Sequence, residues 1–293
     1  MYTVAVRKAK MREKTLRRVM YPFPALSNLG TKEPKMRQIR LLQILSFMAI
    51  VLSFGGIVMA QTQTKSPSDS KTIVLVHGAF ADASGWSKLI PILERDGYYV
   101  TAVQIPLTSL ADDVATTKRV LDAQKGPAVV VGHSYGGAVI TGAAAGSKNV
   151  KSLVYVAAFA PDSNEPLAAA GSKFPEPPLN SALVPDSAGF LYIDRAKFHD
   201  DFCADIPAPE ARVMAATQKP LHNSVFGASV PEAAWKTIPT WFIVSKNDRA
   251  INPELERFYA KRANAKTTEI AASHVSFLSH PNDVAKVIED AAK

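Results

Sequence analysis

Cysteine is all but missing from this chain of 293 residues: Cys203 stands alone. One thiol excludes an intrachain disulfide and a zinc site of the four-cysteine kind. No G-X-Y period or heptad pattern runs through the sequence. With 47% apolar residues and a mean hydropathy near zero, the composition also excludes a disordered chain, collagen or a coiled coil. Charge is scarce where the basic total suggests plenty. Of 34 Lys and Arg and 26 Asp and Glu, eleven and two fall in residues 1–40 and none in 41–60, leaving 23 and 24 for 61–293. The basicity belongs to a leader, the rest is close to neutral, and no nucleic-acid partner is expected.

What is present begins with that leader. Leu41–Ala60 is uncharged and mostly apolar, follows Arg37 and Arg40, and ends in Val58-Met59-Ala60 before a polar stretch. Charge, apolar run and short residues in this order make a secretory signal peptide, with cleavage after Ala60. The alternative is an uncleaved membrane anchor, since the run approaches the ~20 residues that span a bilayer; Ser46, Ser53, Gly55 and Gly56 weaken it as a span. Met36 is a natural start for such a signal, which makes 1–35 an over-long beginning. Both readings place Gln61 onward in a periplasmic or secreted setting, with the membrane a partner only if Leu41–Ala60 is retained.

Residues 61–71 read as a linker. Beyond it, short β-branched and apolar runs alternate with helical spacing. Strands are expected at Thr72–Val76, Tyr98–Val103, Ala128–Val131, Val150–Ala158, Thr240–Val244 and Thr267–Ile270. Helices are expected at Trp86–Arg95, Leu110–Ala123 with Ser109 as N-cap, Tyr135–Ala145, Glu254–Arg262 and Asp283–Ala292. This order gives a three-layer α/β/α fold with about six parallel strands. The rhythm breaks across Pro161–Pro239, which holds 11 of the 20 prolines. That density argues against regular sheet. The stretch 161–239 reads as an inserted cap with short helices at Arg195–Phe202 and Glu210–Gln218, and 72–160 with 240–293 as the core.

Gly132-His133-Ser134-Tyr135-Gly136 is a G-x-S-x-G motif between a strand and a helix. So tight a turn strains the serine backbone, and glycines two residues either side remove the clash. Ser134 is the candidate nucleophile. His77-Gly78-Ala79-Phe80 follows the first strand, and ligands of parallel sheets bind at the carboxyl ends of strands. The amides of Ala79 and Tyr135 are candidates for an oxyanion hole, with Phe80 the alternative to Ala79. A serine hydroxyl needs a base. Of six histidines, His274 follows the last strand, where a triad in this chain order carries its histidine. His77 and His133 read as structural, His199 and His222 lie in the cap, and His280 opens the last helix. Asp248, just past Thr240–Val244, is the candidate to hold the imidazole, with Asp162 its rival. Phe80, Phe190, Phe198, Met214 and Trp235 are candidate pocket residues, drawn from a set that also holds Tyr192, Phe202 and Phe226. Those aromatics serve equally as the cap's own core. No metal and no cofactor are expected.

The order HGAF, GHSYGG, SKNDR, SHV resembles the alpha/beta-hydrolase superfamily, specifically its small cap-bearing serine esterases. The stretch HGAFADASGW (His77–Trp86) is similar to the start of plant methylesterases, hydroxynitrile lyases and bacterial acyl-homoserine-lactone hydrolases. The resemblance covers about residues 70–293. It implies nucleophile Ser134, acid Asp248, base His274, and oxyanion amides at Ala79 and Tyr135. Many members begin with an antiparallel strand pair, for which Gln61–Lys71 is too short, so a trimmed sheet is expected. The implied activity is hydrolysis of small apolar carboxylic esters or lactones through an acyl-enzyme. The alternatives are lyase or perhydrolase chemistry on the same triad, or a ligand-binding protein without turnover. The resemblance implies a lysine near the base for a lyase, and none lies between Thr267 and Pro281.

Overall fold

The computed structural model describes residues 71–293; the leader and all but the last residue of the linker lie outside the described residues. Along the chain, β1 (Lys71–Val76) leads through a 3₁₀ turn (Ala83–Lys88) to α1 (Ile90–Arg95), β2 (Tyr98–Val103), α2 (Leu110–Asp122), β3 (Ala128–His133), α3 (Tyr135–Ala143) and β4 (Val150–Val156). The stretch 157–239 holds β5 (Leu183–Pro185), β6 (Phe190–Ile193), α4 (Arg195–Phe202), α5 (Ala208–Thr217) and β7 (Leu221–His222). The chain then forms β8 (Thr240–Ser245), α6 (Pro253–Arg262), β9 (Lys266–Ile270), α7 (Ser276–Ser279) and α8 (Pro281–Ala292).

Six strands form one sheet in the order β2-β1-β3-β4-β8-β9, every neighbouring pair parallel. All six expected strands are present; the segment before β1, on which the expectation of a trimmed sheet rests, lies outside the described residues. The central strands are unbroken apolar runs because helices cover both faces; every residue of β3 is buried. The last helix, α8, turns Val284, Ala285, Val287, Ile288 and Ala291 inward, the i, i+3, i+4, i+7 spacing of one buried face. On the helix after β3, small residues permit close approach of the segments packed against it. A Cβ on Gly142 would stand 2.8 Å from Val230 Cγ1, and one on Gly137 2.8 Å from the Ala158 methyl.

Two elements differ from the sequence reading. The expected helix Trp86–Arg95 is a 3₁₀ turn followed by α1, with Pro91 in the first turn of α1. Proline has no N–H to continue an earlier helix, but fits the first turn of a new one. The second difference corrects the proline argument. The stretch expected to lack regular sheet contains an antiparallel three-stranded one, β5-β6-β7. Its strands are two to four residues long. Pro185 closes an edge strand, where a missing donor costs least, and Gly189 at φ +86° makes the turn into β6. The helices α4 and α5 lie where expected. Among the described residues no helix is long and apolar enough to cross a membrane.

Candidate active site

Ser134 stands between β3 and α3 with φ 53° and ψ −124°, a conformation that L-residues rarely adopt. Its neighbours hold the strain. The Ser134 amide donates to Val156 O at 3.1 Å, and its carbonyl accepts from the Gly137 and Phe159 amides at 3.0 and 3.1 Å. The glycines do what the motif requires. A Cβ on Gly132 would stand 2.6 Å from Gly136 O, and a Cβ on Gly136 2.6 Å from the carbonyls of Val76 and His77. Gly78 belongs to the same close packing, since its Cβ would lie 2.7 Å from Ser134 Cβ.

Asp248 and His274 come from loops after β8 and β9, so the parallel sheet delivers both to the edge that carries Ser134. Asp248 Oδ2 lies 2.5 Å from His274 Nδ1, with both side chains buried. The other oxygen, Oδ1, accepts the amides of Ala250 and Ile251 at 2.6 and 2.9 Å. The carboxylate is therefore fixed in place, and its second oxygen is aimed at the ring. Asp162, the rival, is engaged elsewhere: it accepts the Ser163 amide and pairs with Lys236.

His274 and Ser134 line one cavity of about 60 Å³, with Ala79, Phe80, Tyr135 and Phe202 on its wall. Among the described residues no hydrogen bond joins Ser134 Oγ to the His274 ring, a looseness usual in unliganded sites. No acceptor in the described chain takes the amides of Ala79 or Phe80. Such groups are rare in protein interiors. Phe80 sits at φ +60°, so this loop too is held in a sparsely populated conformation.

The two motif histidines hold backbone. His77 is pushed down to about 4, chiefly by burial, and is neutral. Its Nδ1–H donates to Gly78 O at 2.8 Å, and its Nε2 accepts the Ile105 amide at 3.2 Å. That pins the HGAF loop. His133 is lowered well below its ordinary range, first by burial and then by His274 beside it. It donates from Nε2 to His274 O at 3.0 Å. Of the other three, His199 binds Ile206 O, while His222 and His280 bind the hydroxyls of Ser224 and Ser279.

Three carboxyl groups that the sequence did not single out support the site. Asp113 is fully buried on α2; it accepts Tyr135 Oη at 2.6 Å and the Leu107 amide at 2.7 Å. It therefore orients the residue whose amide opens α3. Glu256, fully buried on α6, is pushed well above the carboxylate range by burial and by Asp248, so it keeps its proton. Its Oε2 accepts the Ser245 amide at 3.0 Å at the end of β8, where the Asp248 loop begins. Asp205 binds both the amide and the hydroxyl of Ser273. In sequence each is one acid among many, and only long-range contact reveals it.

The pocket candidates divide. Phe80 lines the cavity, as do Phe202 and Phe226. Phe190, Phe198, Met214 and Trp235 do not line this cavity. Phe198 is fully buried against Phe202, ring centroids 5.0 Å apart, and forms the core of 157–239. Phe190 packs edge-on against His222. Met214 packs, half-buried, on the core cluster. Trp235 donates to Pro161 O at 2.9 Å, with Arg262 over its ring. Amphipathic spacing is the same for a side chain packed inward and for one facing a ligand, so sequence did not separate them. Among the described residues no group of three His, Cys, Asp or Glu is placed to hold a metal ion.

Known proteins share this architecture. Methylesterase 8 of Arabidopsis thaliana is 27% identical over 211 residues, covering 63% of this chain and 75% of that protein. The alpha/beta hydrolase nvfD of Aspergillus novofumigatus is 25% identical over 244 residues, 75% of this chain and 96% of that protein. Among solved structures, polyneuridine aldehyde esterase superposes with a TM-score of 0.67 at 20% identity, over 76% of this chain and all of its own. A pyrethroid hydrolase from Sphingobium faniae gives 0.65 at 22%, over 76% of this chain and 97% of its own. The profile described as the alpha/beta hydrolase family matches residues 73–287. That match spans most of the chain, and the protein belongs to the alpha/beta hydrolase family.

Proposed function

We propose that this protein is a serine hydrolase that cleaves carboxylic ester or lactone bonds of small apolar substrates through an acyl-enzyme. The observation that carries the reading is convergence. A buried Asp248–His274 pair, a strained serine and unpaired amides reach one small cavity from four separate loops. Esterases among the relatives support the same chemistry.

In the proposed reaction Ser134 Oγ attacks the carbonyl carbon while His274 Nε2 takes the hydroxyl proton. Asp248 holds Nδ1–H, which fixes the tautomer and stabilises the imidazolium. The oxyanion lies between the amides of Tyr135 and Ala79, with Phe80 the alternative to Ala79; each donor is worth about 3 kcal/mol of barrier. Collapse breaks the ester bond, and the alcohol leaves with the proton from His274. Water, deprotonated by the same ring, then hydrolyses the acyl-enzyme. Residues 161–239 act as the cap over the cavity. The leader directs the protein out of the cytoplasm, which N-terminal sequencing of exported material checks.

The direct test is Ser134→Ala. Hydrolysis of p-nitrophenyl acetate is expected to fall on the order of 10³-fold or more, and labelling by a fluorophosphonate probe to vanish. Undiminished hydrolysis by the variant overturns the reading.

A further inference from the structure

The cavity against Ser134 holds about 60 Å³. At ~30 Å³ per molecule that is room for about two waters. An acetyl or an ethoxy group fills it, and a substrate of any size must extend elsewhere. The place is beside it. A second chamber of about 420 Å³ lies against residues 168–177 and the start of α6. That volume falls within the roughly 300–1,000 Å³ of small-molecule sites.

The two spaces share walls. Phe159, Asn180, Phe226, Ala250 and Ile251 line both. Three of the shared residues are anchored to the triad loops themselves. The Phe159 amide donates to Ser134 O, and the Ala250 and Ile251 amides to Asp248 Oδ1. The chamber thus adjoins the reacting centre across this shared wall. Its far wall is largely apolar, with Phe174 and Leu255, and Glu176 is the one charged residue among the described residues that line it. An acidic wall residue disfavours an anionic arm, and the apolar surface favours a hydrocarbon one.

We propose that the site selects esters of unequal halves: one substituent of about three heavy atoms or fewer beside Ser134, the other an extended, uncharged, apolar arm lying in the chamber. This rests on the serine-hydrolase reading above and names its substrate class. The small cavity is the stricter filter, because overfilling a packed space costs more than leaving an open one part-empty.

Four esters test it: ethyl acetate, ethyl hexanoate, hexyl acetate and hexyl hexanoate, with kcat/KM for each and p-nitrophenyl acetate as the check on turnover. Each methylene fully buried is worth roughly four-fold. One of the two singly extended esters is expected at least ten-fold above ethyl acetate, and which one tells whether acyl or alcohol occupies the chamber. Hexyl hexanoate, long on both sides, is expected to fall at least five-fold below that ester. A second arm uses Gly171→Leu. A Cβ there would be 3.8 Å from Leu255 Cδ2, ordinary contact, so the new side chain narrows the chamber without a backbone clash. It is expected to reduce the long-to-short preference at least five-fold. Turnover without length preference, or best turnover of hexyl hexanoate, overturns this inference alone. No turnover of any ester, p-nitrophenyl acetate included, overturns the serine-hydrolase reading and this inference with it.

Discussion

Asp205, in the loop between α4 and α5, accepts hydrogen bonds from both the amide and the hydroxyl of Ser273, the residue before His274. Four positions earlier Asp201 pairs with Arg249, the residue after Asp248, at 2.9 Å. One short stretch of the inserted segment therefore grips the loops of both members of the His274–Asp248 pair. Burial alone would raise the Asp205 carboxyl, but its hydrogen bonds, led by those from Ser273 and joined by Ser279, together outweigh it and hold it below the usual range.

This relationship gives a prediction that separates positioning from stability. Asp205 is substantially exposed, so its bonds contribute little to folding, below about 1 kcal/mol. Asp205→Ala is expected to leave the thermal midpoint within a few degrees of the parent while kcat falls about ten-fold and KM changes little. Steady-state kinetics beside a thermal melt decide it. A large drop in melting temperature with unchanged kcat would show that the contact merely holds the fold.

Gly78 is the most exacting position in the HGAF loop. Its would-be Cβ meets Ser134 Cβ at 2.7 Å and His133 O at 3.0 Å, and neither is the end of a flexible chain. Gly78→Ala must push the loop away from the serine. Overpacking of this kind costs about 1–3 kcal/mol of stability. The larger effect falls on hydrolysis, expected to drop about 10² or more, since the oxyanion amides move with the loop. Esterase assays on folded variant, checked by circular dichroism, measure this. Activity within three-fold of the parent would show that the loop does not serve the reaction.

His77 makes folding pH-dependent. Its folded pKa, about 4, lies below the 6.5 of an unfolded chain. The unfolded state therefore takes up the proton first. The stability is complete above pH 6.5 and is lost as pH falls toward 4, amounting to about 3 kcal/mol. His133, also depressed, acts with the same sign. Urea unfolding at pH 8, 6.5, 5 and 4 should show this decline. His77→Gln should be less stable than the parent at pH 8 but lose less between pH 6.5 and 4. Parallel profiles for the two proteins would exclude the assignment.

The sequence by itself determined the order of strands and helices and the corner at Ser134. These rest on local rules: apolar runs of four to six residues, helical spacing, and glycines flanking a turn that admits no side chain. Proline count misled over 183–222, because a short edge strand tolerates the missing donor. Only the tertiary structure decided which aromatics face the cavity, which acids steady His274 and Asp248, and that a chamber adjoins the serine. Phe198 and Phe202 share one helix, yet only Phe202 reaches the reacting centre. Glu256, Asp113 and Asp205 owe their roles to contacts across 6 to 68 residues of chain. Local spacing carries no record of such contacts, since they form only when the sheet brings distant loops to one edge.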